Sequence, residues 1–385
     1  MDLSLNDEQQ MIRQIAREFA DKELLPTAAE YDESQQFPYD IWKKLGQLGF
    51  MGLLVPEEYG GIGADTVSYV LALEEIARGN PAVSTIMSVN NSLTCYGTLR
   101  FGTEAQKRKY LPALATGEKL GGYALSEAGS GSDAVRMKTR AVKSGDKYIL
   151  NGSKMFITSG ESGHIYLVFA LTDPAKGANG ISCFVVEKGM PGFRAGKKLD
   201  KLGMRASDTT ELLFEDCEVP VENLLGEVGQ GFKLAMQLLD GGRIGIATQA
   251  LGIAQAAFEF ARQYATQREQ FGHPIYDFQA IQFMIADMAT RIEASRLLVH
   301  QAATMRDAKV ECGKQASMAK LFASETAMWV TTKAVQIYGG YGYIKEYPVE
   351  RYFRDAKVTE IYEGTSEIQR LVIAKSLLRS TRTIV

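Results

Sequence analysis

The chain has 385 residues, 45% of them hydrophobic and 23% charged, with a formal net charge of −3. These are the proportions of an ordinary globular protein of two or three domains, at roughly 150 residues each, and they argue against general attraction to nucleic acid or an anionic membrane. Cys95, Cys183, Cys217 and Cys312 form no CxxC pair, and His164, His273 and His300 are as scattered, so neither a metal site nor a disulfide framework is expected.

The start, Met1 to Glu8, is acidic and has neither a basic n-region with an apolar stretch nor an Arg-rich leader. No apolar run approaches the roughly 20 residues of a membrane span, so a cytoplasmic protein without such a span is expected. From Glu8 to about Gly121 the period is helical. Ile12, Ile15, Ala16 and Phe19 form one stripe ending before Pro26, the stretches 66–77 and 105–114 repeat the pattern, and Pro56 to Gly61 is a turn.

From about Gly122 to Gly229 β-rich runs take over, at 148–150, 154–158, 165–171, 181–187 and 211–219. Asn151-Gly152 between the first two reads as a hairpin turn. With no helices of crossover length between the strands, the domain is expected to be antiparallel. From Gly231 long helices return. Leu251, Ala254, Phe258 and Ala261 share one face, as do Ile281, Ile285, Met288, Ile292 and Ser295, and the many small residues suit a closely packed bundle. The expected class is α+β multidomain, with domains at 1–121, 122–230 and 231–385.

Five stretches are candidates for chemistry. Leu125 to Asp133 is rich in Ser and Gly, so its amides and hydroxyls are open to a phosphate, although its composition fits a surface turn equally well. Arg268 to Gly272 ends a helix, where an Arg is ordinarily a contact to the helix dipole. Phe278-Gln279 opens the next helix, and Gln336 to Gly342 breaks another at Gly339-Gly340. Finally, Ser366 and Gln369 read as a capping box, which places Glu363 in the loop ahead of a helix. Glu363 is then either a base in an apolar pocket or an exposed loop carboxylate.

In order and spacing these segments resemble the acyl-CoA dehydrogenase family over essentially the whole chain. The resemblance rests on Ala124-Leu125-Ser126-Glu127 with Gly131-Ser132-Asp133, on Asn151 to Lys154 with Phe156 to Thr158, on Arg268 with Phe271-Gly272, and on Ile361 to Thr365. Arg243 to Ala247 and Glu360 to Ala374 are similar to its short-chain, butyryl-CoA branch. It implies an N-terminal helical domain, a middle β-barrel-like domain, a C-terminal four-helix bundle, and a homotetramer binding FAD.

By motif, the resemblance implies that Tyr123, Leu125, Ser126, Gly131, Ser132, Phe156, Ile157 and Thr158 line the flavin. Arg268, Phe271, Phe278, Gln279, Gln336, Gly339 and Gly340 would meet the rest of FAD from a neighbouring subunit, and Thr365 and Glu367 would contact it after the base. Ser132, Asp240, Arg243 and Gly364 would bind substrate, and Glu363 would take the α-proton of an acyl-CoA whose electrons pass to electron-transferring flavoprotein. Two departures bear on this. Some members carry the base on a helix, where this chain has Gly242, and Ala128 replaces a usual proline. Leu93 and Tyr96 would close the acyl end for a C4-class substrate, while Gly241 and Gly242 would leave room for a branch. Branched-chain, cyclic or aryl-acyl-CoA dehydrogenases are the alternatives within the family, and DNA-binding relatives the alternative of another class.

Overall fold

The computed structural model describes residues 4–381. Among these, helices come first: α1 (Asp7–Phe19), α2 (Ala28–Ser34), α3 (Tyr39–Gln47), α4 (Thr66–Gly79), α5 (Pro81–Ser88), α6 (Tyr96–Phe101) and α7 (Glu104–Ala115). The α1 helix starts at a capping box, where the Asn6 side chain accepts from the Gln9 amide and the Gln9 side chain accepts from the Asn6 amide. Ile12, Ala16 and Phe19 are buried against α4, but Ile15 is 39% exposed. At about 100° per residue Ile15 lies roughly 60° off the line of the other three, at the edge of the stripe rather than within it.

Strands follow: β1 (Gly121–Ala124), β2 (Arg140–Ser144), β3 (Lys147–Thr158), β4 (Ile165–Leu171), β5 (Ile181–Glu187), β6 (Phe193–Lys198), β7 (Thr209–Pro220) and β8 (Leu224–Leu225). They form one sheet in the order β6-β7-β3-β2-β4-β5-β8, with β1 added to β4. The expected antiparallel character holds for most pairs, but β1 runs parallel to β4, and β2 meets β4 in parallel at Arg140 and Leu171. The connection that parallel strands require is made here by the β2–β3 hairpin and the Ser/Gly loop, not by a helix.

The hairpin expected at Asn151-Gly152 is not there. The chain turns earlier, between Ser144 and Lys147, and β3 runs straight through Asn151-Gly152 with a bulge opposite β7. Gly152 has φ +139°, and a Cβ on it would lie 2.7 Å from the Thr139 Cα. The Asn151 side chain bonds Asp216 on β7, donating to its carboxylate and accepting from its amide. Asn-Gly therefore supplies a bulge, another use of the same backbone freedom.

Strands β4 and β5 are buried on both faces. Along β4, Ile165, Leu167 and Phe169 face a core shared with the N-terminal helices and the start of the bundle, while Tyr166, Val168 and Ala170 face the interior of the sheet. An unbroken apolar run is what a strand between two cores requires.

The remaining elements are α8 (Gly231–Gln267), a small hairpin β9 (Glu269–Gln270) and β10 (His273–Pro274), α9 (Gln279–Asp307), α10 (Gly313–Tyr338), α11 (Val349–Ala356) and α12 (Ser366–Thr381). Contrary to the absence of any long apolar run in the sequence reading, α8 has the length and mean hydropathy of a membrane-crossing helix, but 78% of its most apolar stretch is buried inside the protein. Its small residues explain this packing: a Cβ on Gly252 would stand 2.4 Å from the Glu74 carbonyl oxygen on α4. Of the faces expected on the bundle helices, Leu251, Ala254, Ala261, Met288, Ile292 and Ser295 are buried, and Phe258, Ile281 and Ile285 are half-buried.

The end of α9 also satisfies the start of α4. The Asp307 carboxylate accepts from the amides of Thr66 (2.8 Å) and Val67 (3.1 Å), beside the Asp65 cap on Ser68. Asp307→Ala is expected to lower stability by about 1 kcal/mol, as lost caps do. Urea unfolding checks this, and an unchanged midpoint would show that the carboxylate contributes nothing.

Candidate active site

After α11 the chain makes a short 3₁₀ turn at Lys357–Glu360 and then a tight reversal, with Glu363 at φ +52° and Gly364 at φ +98°. Thr365, not Ser366, caps the helix that follows. The Thr365 hydroxyl accepts from the Ile368 amide at 3.3 Å, and Ser366 is the first residue of α12. The expected capping box therefore does not form: the cap lies one residue earlier, and the Gln369 side chain is committed elsewhere. Its Nε2 donates to the carbonyls of Gly364 (2.9 Å) and Glu363 (3.3 Å). The turn is also held from α10, where Lys320 Nζ donates to the Gly364 carbonyl at 2.7 Å. It is held from α8 by the Tyr362 hydroxyl, which donates to Gln249 Oε1, while Gln249 Nε2 donates to Ser84, Thr85 and the Pro81 carbonyl.

The Glu363 carboxylate lies inside this frame, and its Oε2 is buried with no hydrogen-bond partner. Burial pushes its pKa up to about 7, against the pull of Lys320 and Arg243. Gly242 on α8 makes the seat: a Cβ there would fall 1.9 Å from Oε2 and 3.1 Å from a Leu93 methyl. The room expected beside Gly241 and Gly242 for a branch is therefore filled. Glu363 takes the second position, and the Arg306 guanidinium takes the first, 2.1 Å from where a Gly241 Cβ would be. Arg306 also stacks on Tyr96 at 4.2 Å. On either side of these glycines, Arg243 pairs with Asp240 at 2.7 Å, and the Arg243 Nε is buried and unpartnered. Burial raises the Asp240 carboxyl above its ordinary range, with Arg243 opposing.

The Ser/Gly loop approaches from β1. The Tyr123 ring packs on Phe169 at 5.1 Å, and burial holds its hydroxyl well above the usual phenol range, with the Glu363 charge acting in the same direction. Beyond Tyr123, Glu127 organises the loop. Its carboxylate accepts from the amides of Lys138 (2.6 Å) and Thr139 (3.0 Å) and from Lys154 Nζ (2.9 Å). Lys154 is wholly buried and also donates to the Leu125 carbonyl at 3.0 Å. The Ser126 carbonyl accepts from the Met155 amide on β3 at 2.9 Å. A Cβ added to Gly129 or Gly131 would meet nothing within 4 Å, so packing within the chain does not demand glycine at either position. Ser132 is exposed, as is Phe156, which sits at φ +62°. Ile157 turns into the sheet core, which leaves only its backbone to face outward, and Thr158 is half-buried.

The remaining predicted residues lie elsewhere. Arg268 caps the end of α8 in an extended conformation, and Phe271-Gly272 is the tight turn of the β9–β10 hairpin, with Phe271 90% exposed. Arg268, Gln270, Tyr338, Gly339, Gly340 and Tyr341 line a cleft of about 480 Å³. There Arg268 stands 5.5 Å over the Tyr341 ring, and a Cβ on Gly339 or Gly340 would meet open space. Gln336 and Gln279 are exposed, and Phe278 is half-buried. Lys320 and Tyr338 are separated by 18 residues of one helix, so this cleft is about 27 Å along α10 from the Glu363 turn. Thr365 and the exposed Glu367 stay beside Glu363, where Glu367's own amide and the Thr365 hydroxyl hold its carboxyl below the usual range.

Sequence reasoning missed Lys154, Gln249, Arg306 and Lys320. A signal existed for Lys320, a single cation on the buried Ala316–Ala319–Ala323 face of α10. The partner of Lys154 is 27 positions away in sequence, and no pattern joins the two.

Three family models match in tandem: acyl-CoA dehydrogenase N-terminal domain over residues 6–118, middle domain over 122–217 and C-terminal domain over 229–378. The chain is 52% identical over 379 residues to the short-chain specific acyl-CoA dehydrogenase of Clostridium acetobutylicum, across 98% of this chain and 100% of that one. Among solved structures it is similar to butyryl-CoA dehydrogenase from Megasphaera elsdenii, with TM-score 0.97 and 49% identity, over 98% of this chain and 100% of that one. It is equally similar to a chain in the structure of the electron transferring flavoprotein of Acidaminococcus fermentans, with TM-score 0.97, 53% identity and the same coverage.

Replacing Lys154 by Met would leave Glu127 buried without its cation. Breaking such a pair costs roughly 3–5 kcal/mol. Chemical denaturation of Lys154→Met is expected to show a loss of that order, and a variant as stable as the parent would remove Lys154 from this role.

Proposed function

The chain belongs to the acyl-CoA dehydrogenase family, and on that premise we propose that it desaturates a short-chain, C4-class acyl-CoA between Cα and Cβ to the trans-2-enoyl-CoA. The observation that carries this reading is the buried, unpartnered Glu363 oxygen, a carboxylate poised near neutrality in the seat left by Gly242. A base is most useful when its pKa is close to the working pH.

Enzymes of this family are FAD-dependent, and the residues present fit that group. Gly129, Gly131, Gly339 and Gly340 all face open space, and Phe156 and Phe271 are exposed in left-handed conformations. Tyr123 to Ser132 and Phe156 to Thr158 would hold one end of the cofactor, with Thr365 and Glu367 nearby. Arg268, Phe271, Phe278, Gln279, Gln336, Gly339 and Gly340 would hold the other end from a second copy of the chain. Bound FAD supplies the acceptor for the β-hydrogen and its electron pair.

The chain's own residues do the rest. Glu363 takes the α-proton at its carboxylate, and its backbone N–H donates to the thioester carbonyl, lowering the cost of negative charge on that oxygen. Arg243, Asp240, Ser132 and Gly364 bind the CoA portion. Leu93, packed against the Glu363 seat, and Tyr96, beneath Arg306, shorten the acyl end. The need for a second copy, together with Phe283 (59% exposed) on α9 and Leu371 (64% exposed) on α12, supports a homotetramer. Electron-transferring flavoprotein is the expected acceptor, as the likeness to the Acidaminococcus fermentans structure suggests.

Glu363→Gln is expected to keep the yellow flavin and lose about 10²–10⁴-fold in kcat, the usual contribution of a positioned base. In the parent enzyme kcat/KM should fall as the pH drops through about 7, where the carboxylate is protonated. Stability runs the opposite way. With its pKa raised in the fold, the Glu363 carboxyl contributes stability below its ordinary value of 4.5, and this is lost as the pH rises through 7. The Gln variant should therefore be the more stable protein at pH 8. Full activity in that variant would sink the assignment.

The substrate class is checked by kcat/KM over straight acyl-CoAs from C4 to C12. The maximum is expected at C4, and a maximum at C8 or longer would overturn the short-chain reading.

A further inference from the structure

Lys320 is fully buried on α10, on a face otherwise made of Ala316, Ala319 and Ala323. A buried ammonium is costly to desolvate, whereas an apolar side chain of similar length is not. Packing alone would therefore be served as well by Met. Nor is the ammonium needed to satisfy the carbonyl it binds. The Gly364 oxygen, 2.7 Å from Lys320 Nζ, already accepts from Gln369 Nε2 at 2.9 Å. What Lys320 adds that Gln369 cannot is a positive charge fixed beside the left-handed Glu363-Gly364 turn.

We propose that Lys320 is a positioning residue for the reaction: its ammonium anchors the Glu363 turn through the Gly364 carbonyl and sets its positive charge against protonation of the Glu363 carboxylate. This rests on the reading of Glu363 as the base. Lys320 is faced by Glu363, by Glu360 in the 3₁₀ turn, by Glu367 on α12 and by Arg243 on α8. Glu363 is faced by Lys320 and Arg243, and it acts on the hydroxyls of Tyr69 on α4, Tyr123 on β1 and Tyr362. Of the two cations, Lys320 counters the burial of the carboxyl more than Arg243 does.

Arg243 is also paired with Asp240, which divides its effect, whereas Lys320 holds the very turn that carries the base. Burial lowers the Lys320 pKa to about 8, so the ammonium persists at neutral pH, where it is needed. Removing it should make the base harder to ionise. A lost opposite charge at close range raises a carboxyl pKa by about 1–3 units.

The test compares Lys320→Met, Lys320→Gln and Lys320→Arg in the flavin-loaded enzyme, with Glu363→Gln alongside. Lys320→Met and Lys320→Gln are expected to shift the acid limb of the kcat/KM profile up by about 1 unit. At pH 7 that is a loss of roughly fivefold, recovered by about pH 9, with flavin content kept and KM changed less than about twofold. Lys320→Arg should return the limb to the parent position. Lys320→Gln retains a donor for the carbonyl, so it reports on charge even where Lys320→Met does not fold. A limb that stays at the parent position in the neutral variants overturns the proposal, whether kcat is unchanged or is reduced equally at every pH. Full activity in Glu363→Gln would instead overturn the base itself, so the two failures are distinct.

Discussion

As the proposed base, Glu363 is caught between two requirements, since its carboxylate has to be buried to gain basicity and yet has to be able to carry charge. Burial alone would favour the protonated acid, and two nearby cations pull against it, leaving the group poised near neutrality. The balance needs space as well as charge. That space exists because Gly242 has no Cβ, and because α8, α10 and α12 meet where Glu363 and Gly364 adopt left-handed conformations. Each helix contributes a hydrogen bond to the turn: Gln249 from α8, Lys320 from α10 and Gln369 from α12. The helix bundle therefore acts as a clamp on a short strained segment, and the strain is affordable because three packed elements fix it.

The sheet serves the Ser/Gly loop in a comparable way. Strands β4 and β5, buried on both faces, tie the middle of the chain to both helical parts, so the end of β1 is fixed relative to α8. From there a buried Lys154–Glu127 pair draws the loop onto β3, and Glu127 satisfies two further amides. With its polar groups met on the inner side, the loop presents Gly129, Gly131 and Ser132 outward. The Asn151-Gly152 bulge opposite β7 comes just before the segment that carries Phe156, where the β3–β7 register shifts a second time.

The α, β, α order was legible because the apolar period changes from helical to alternating and back, and period is a local property. Element bounds at 165–171 and 181–187 could be read for the same reason. What could not be read depends on partners distant in sequence. Asn-Gly is compatible with both a hairpin turn and a bulge, and only pairing with β7 decides between them. The cap of α12 lies at Thr365, and Gln369 is bound to the Glu363 turn, a contact that capping rules do not contain. Gly242 was legible as the absence of a carboxylate, but its role as the wall of the Glu363 seat was not. Lys154 looks in sequence like any surface lysine, and only its burial marks it.

The separation of the two groups of predicted residues follows from rigid geometry. Glu363, Tyr123 and the Ser/Gly loop gather near Gly242, toward the start of α8, whereas Arg268 caps the far end of that same helix. Gly242 and Arg268 are 26 positions apart along α8 and its cap, about 39 Å at the rise of an α-helix. Neither α8 nor α10 is broken between these points, so no local rearrangement can bring Arg268 and Glu363 together within one chain. A ligand shorter than that separation and held by both groups lies between two copies, with the cleft of one facing the loop of the other. The glycines at both places, open on the side away from their own chain, are what such a meeting requires. On the proposed assignment assembly is a condition of the chemistry, because each copy would carry its base complete but only part of the surface that would hold the cofactor beside it.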